Sequence, residues 1–77
     1  MAEQPTTPAE VWALIERADE LVKYASNRDP KTAYAQARET LRKAAEAACT
    51  VPGAQPLEQQ ANTRLEDLDK LEKETQQ

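Results

Sequence analysis

Apolar residues recur along this chain at spacings of three and four, and its prolines cut the pattern into three stretches. Val11, Leu14, Ile15, Ala18, Leu21, Val22 and Ala25 fall on one stripe of a helix with 3.6 residues per turn. Pro8 opens that stretch, and a first helical turn tolerates the amide that proline lacks. Thr7 before it and Glu10 three residues later form the capping-box pattern, in which hydroxyl and carboxylate satisfy orphan amides of the first turn. The pattern predicts a helix over about 8–26, with Asn27 suited to its end. Asp29 and Pro30 repeat the start signal for a second helix over about 30–49. Its inner stripe is Ala33, Ala37, Leu41, Ala44 and Ala48, with Tyr34 and Ala45 at one edge. Side chains this small let neighbouring helix axes approach closely, so the second helix is expected at the centre. Thr50 to Gln55 break the period, with Pro52 and Gly53 as a turn and Val51 as a loop anchor. A third helix over about 56–73 carries Leu57, Ala61, Leu65, Leu68 and Leu71 on one stripe, from a less well capped start.

The link between the first two helices is so short that they are expected to fold back on each other. The expected architecture is therefore all-α: a three-helix bundle, an antiparallel helical hairpin whose open groove the leucine stripe of the third helix covers. Residues 8–74 form its single domain. Residues 1–7 and 75–77 read as mobile tails, because neither holds an apolar anchor after Met1.

Composition makes that core thin. Of 77 residues, 30 are apolar by the broad count and fourteen of those are alanine, which leaves seven Leu, three Val, one Ile, one Trp, two Tyr, one Met, one Cys and no Phe. A fully buried large side chain contributes about 1.5–3 kcal/mol, so a dozen anchors hold the fold only with help from helical hydrogen bonds and close packing. Modest stability follows, or assistance from a second chain. Weak self-association through Leu65, Leu68 and Leu71 is the structural alternative, giving a monomer or weak homodimer.

Charge adds a second pattern. The net charge is −4, distributed as −3 over residues 1–29, +2 over 30–51 and −3 over 52–77, so a basic helix is flanked by two acidic ones. Lys31, Arg38 and Arg42 share a narrow arc of the second helix beside Tyr34. That arc is either a basic strip able to hold phosphate or an acidic peptide, or a solvated or internally paired face, and the second is the expectation. Trp12 and Tyr24 lie about 60° off the apolar stripe, on opposite sides, following the helical period. Trp12 reads as an indole closing the bundle edge against the third helix; Tyr24 reads equally as core and as contact.

Several chemistries drop out. The chain has no His and one Cys, so it can build neither a zinc site of Cys and His nor an internal disulfide. The lone Gly53 excludes a glycine-rich phosphate loop. Glu66, Asp67, Asp69 and Glu72 cluster without a calcium-loop spacing and read as a solvated face. Cys49, at a helix end, reads as a small buried or semi-buried side chain, and Lys43 and Arg42 sit at spacings unfavourable for activating its thiol. The acidic balance disfavours nucleic acid, and no apolar run reaches membrane-spanning length. Trp12 and Ile15 match the opening of the tetratricopeptide pattern, but Glu16 stands at its small residue and Asp19 at its tyrosine, so no family is assigned and no site is carried over. What remains is a small cytoplasmic helical module without catalytic residues, cofactor or metal. It is expected to bind an unidentified protein partner, not nucleic acid or membrane, with Trp12, Tyr24, Lys31, Arg38 and Arg42 as candidate contacts.

Overall fold

The computed structural model describes residues 6–25 and 29–75, which form three helices and, among the described residues, no strand. Helix α1 spans Pro8–Lys23, α2 spans Pro30–Thr50 and α3 spans Gln55–Thr75. The expected three-helix bundle is the architecture found. α1 and α2 pack closely and α3 packs along α2, whereas α1 and α3 scarcely meet. The third helix thus lies on the flank of α2 rather than evenly across the hairpin groove. The molecule is correspondingly elongated, 40 × 24 × 16 Å.

Both proline starts are capped as their sequences predict. Thr7 is the N-cap of α1, with extended backbone, and its Oγ1 accepts from the Glu10 amide at 3.3 Å. The Glu10 carboxylate in turn accepts from the hydroxyls of Thr6 at 3.0 Å and Thr7 at 3.1 Å. Asp29 caps α2, accepting from the Lys31 amide at 3.2 Å and from the Thr32 hydroxyl at 2.9 Å.

The ends depart from the periodicity. α1 stops at Lys23, three residues before the expected end, and Tyr24 is its C-cap. Ala25 follows in a tight turn and is still fully buried, so the apolar stripe outlasts the helix by a turn. Burial selects the side chain, and a different backbone conformation delivers it. The expected helix end at Ser26 and Asn27, and the expected mobile tails over 1–5 and 76–77, lie outside the described residues. At the other end α3 runs to Thr75, beyond the expected 73. Thr6 and Thr7, assigned to the N-terminal tail by sequence, belong to the α1 cap.

Between α2 and α3 the chain reverses in four residues. The Val51 amide donates to the Ala47 carbonyl, Ala54 to Val51 and Leu57 to Ala54, at 2.8, 3.2 and 2.9 Å. Gly53 adopts φ 82°, the left-handed conformation that glycine takes without steric cost. Val51 and Ala54 are both buried, so the turn is pinned to the core.

The core is a column of alanine with four larger anchors. Val11 and Ile15 come from α1, Leu41 from α2 and Leu68 from α3, and these are the largest fully buried side chains. Around them stand Ala18, Ala37, Ala44, Ala47, Ala48, Ala54 and Ala61. Leu14, Leu21, Val22, Tyr34, Ala45, Leu57 and Leu65 pack on its margin, partly exposed. No polar or charged residue is buried among the described residues.

Candidate functional site

The end of α1 and the start of α2 lie together at one end of the hairpin. There the chain leaves a groove of about 460 Å³. Leu21 and Tyr24 from α1 and Ala33 from α2 supply its apolar surface, and Arg17, Glu20, Thr32 and Gln36 line it with polar groups. Asp29 also lines it, but both of its carboxylate oxygens are engaged in capping α2. Tyr24, 51% exposed, is the most exposed large apolar side chain among the described residues. The Lys23 ammonium sits 5.5 Å from its ring centroid, where the negative π face attracts a cation.

Trp12 belongs elsewhere. It is 39% exposed and lies beneath an arginine of α3: the Arg64 guanidinium carbon is 5.7 Å from the indole centroid. The Nε of Arg64 donates to both Asp19 oxygens, at 2.8 and 3.1 Å, and Nη1 donates to the Gln60 carbonyl and side-chain oxygens at 3.2 and 2.9 Å. One side chain therefore ties α3 to α1 across the gap where the two helices scarcely touch.

The basic strip is also divided. Arg38 is turned toward α3, with Nη2 at 2.6 Å from both Asp69 Oδ1 and Glu72 Oε1. The Glu72 oxygen is shut off from solvent and has no hydrogen-bond partner, so the guanidinium charge is its compensation. Lys31 and Arg42 are exposed and form no ion pair among the described residues. The five candidate contacts thus occupy four places: Tyr24 the groove, Trp12 and Arg38 two different seams of α3, Lys31 and Arg42 the open face of α2.

Sequence reasoning missed Arg64, the residue with the most polar contacts of any described side chain. Its partner Asp19 lies 45 positions away, and no local pattern announces such a pair. Of the acidic cluster, Asp69 and Glu72 are used within the fold, and no group of three or more Cys, Asp and Glu among the described residues is placed to hold a metal ion. Cys49, expected to be buried or semi-buried, is instead exposed, because it lies off the core stripe at the end of α2, where its thiol donates to the Glu58 carboxylate of α3. That hydrogen bond, with the negative charges of Glu58 and Glu46 nearby, holds the thiol pKa above its ordinary value. At neutral pH the sulfur is therefore in its weakly nucleophilic form. The expected leucine stripe is mostly spent inside the chain: Leu68 is 1% exposed, and Leu57 and Leu65 pack on the core.

No protein-family model matches the chain, and neither a curated protein nor a solved structure shows significant similarity to it. No described helix is long and apolar enough to cross a membrane.

Proposed function

We propose that this chain is a non-catalytic interaction module that receives a protein partner in the groove between the end of α1 and the start of α2, with Tyr24 as the anchor. The observation that supports this reading is the exposed Tyr24 ring beside Leu21 and Ala33, rimmed by Arg17, Glu20 and Gln36. An aromatic at an apolar floor with a polar surround is the composition that concentrates binding energy at protein interfaces. The hydroxyl and carboxylate closest to a catalytic pair in this lining, Thr32 and Asp29, are occupied by the cap of α2, which favours binding over chemistry. Net acidity favours a protein over nucleic acid, and a single unpaired thiol suits a reducing cytoplasm. Self-association through the helix-three leucines has less support, because the central one is already buried within the chain.

A photo-reactive phenylalanine analogue placed at position 24, with Lys43 on α2 as the control position, tests the reading in cells. One protein is expected to crosslink at position 24 and not at position 43, and excess wild-type chain is expected to compete the adduct away. Equal competition by Tyr24→Ala would remove Tyr24 from the interface.

A further inference from the structure

We infer that α3 is a detachable cover: it leaves α2 as a unit while the α1–α2 hairpin stays folded, and ionic contacts set how often it does so. Three observations converge on this. All three ion pairs between described side chains, Arg38 with Asp69, Arg38 with Glu72 and Arg64 with Asp19, join α3 to the rest of the molecule, and none joins α1 to α2. Apolar anchoring is distributed the other way. α1 buries Val11, Ile15 and Ala18 completely, whereas the longer α3 buries only Ala61 and Leu68. Finally, Thr7 and Asp29 cap α1 and α2 with side-chain oxygens, but the first turn of α3 is closed by the Leu57 amide on the carbonyl of Ala54, which has no side-chain acceptor.

The thin apolar burial and the missing side-chain cap weaken α3, and the ion pairs make its attachment depend on salt. Segments with few buried apolar contacts open below the free energy of global unfolding. Salt shortens the reach of charge, from about 10 Å at 0.1 M to about 3 Å at 1 M, and the close ion pairs it screens among the described residues all involve α3. The α2 surface under α3 is then uncovered without loss of the groove, because the groove is built from α1 and α2. The device stands independently of what occupies that groove.

Native-state amide hydrogen exchange on the full chain tests the inference. In low salt, amides in the middle of α3, at Leu65 to Leu68, are expected to exchange at least tenfold faster than those of Ile15 and Leu41. Raising sodium chloride to 1 M is expected to speed the α3 set about three- to tenfold and to leave the hairpin set nearly unchanged. Arg38→Gln is expected to accelerate α3 in low salt and to blunt its salt response. Val11→Ala provides the reciprocal: it speeds the hairpin amides and leaves the α3 rates alone until the two coincide. Equal rates in all three helices of the wild type, or equal acceleration of all three by Arg38→Gln, would overturn the inference, since both describe a molecule that opens only as a whole.

Discussion

The guanidinium of Arg64 lies 5.7 Å from the centre of the Trp12 ring, and this stack spans the part of the bundle where the first and third helices otherwise scarcely meet. The same guanidinium is fixed by Asp19 on α1 and Gln60 on its own helix. The indole therefore reports on the seating of α3. Arg64→Ala is expected to lower stability by about 1 kcal/mol and to shift Trp12 emission to longer wavelength. Arg64→Lys keeps the charge but not the planar fork, so it is expected to recover only part of either effect. An unchanged emission maximum in the alanine variant would show that the stack does not shield the ring.

Loss of the α1 cap tests the start of the same helix. Thr7→Ala removes the oxygen that accepts the Glu10 amide, and about 1 kcal/mol of stability is expected to go with it, measured by urea unfolding.

The carboxylate of that cap gives the fold a pH dependence of known sign. Hydrogen bonds from Thr6 and Thr7 hold the Glu10 pKa below its ordinary value. A depressed folded-state pKa means that the contribution is complete above the unfolded value and is lost as pH falls through the folded one. Stability is therefore expected to decline on acidification below about pH 4.5, the ordinary range for glutamate. Glu10→Gln is expected to flatten that limb, and a parallel decline in wild type and variant would exclude the cap as its source.

How much of this was legible beforehand differs with range along the chain. The starts at Pro8 and Pro30 were readable because a cap is local: donor and acceptor lie within three residues of each other. The end of α1 was not, because Ala25 keeps the helical spacing while occupying a turn. The placement of Arg38 against Asp69 and Glu72 agrees with the internal pairing that the charge pattern suggested. Yet the same pattern gave no way to choose Arg38 over Arg42, since two residues four apart share a face and only the position of α3 separates them. Arg64 was invisible for the same reason. The groove at Tyr24 was half visible: periodicity set the ring off the core stripe, but the walls from α2 required the hairpin itself.

Cys49 is expected to alkylate slowly. The raised pKa leaves little thiolate at pH 7.5, and Glu58→Gln removes the negative charge and leaves only a weaker, neutral acceptor. Iodoacetamide is expected to modify the Glu58→Gln variant faster than wild type, and the two should react alike when unfolded in urea. Because the folded-state pKa is raised, the thiol's contribution is complete below the unfolded pKa and is lost as pH rises through the folded one. Equal rates for the two folded proteins would mean that the Glu58 charge does not act on the thiol.

Gly53→Ala probes the turn between α2 and α3. The nearest atom to an added methyl is Pro8 Cγ at 3.7 Å, ordinary contact, so space is not the obstacle. The left-handed backbone is, and about 1–2 kcal/mol of destabilisation is expected from calorimetry. No loss would show that the turn relaxes to another conformation.

The alanines of the core bear on how this chain can change. A methyl has no rotamers, so an interior built from it loses almost no side-chain freedom on folding, and that offsets part of the thinness of its apolar contacts. The same property removes the means of accommodation. Where a leucine-rich interior absorbs an added carbon by turning neighbouring side chains, the Ala37, Ala44 and Ala48 column can respond only by moving whole helices apart. Variation is thereby steered outward, onto the exposed faces of α1 and α2 and the rim of the groove, while the spacing of the three helices stays fixed.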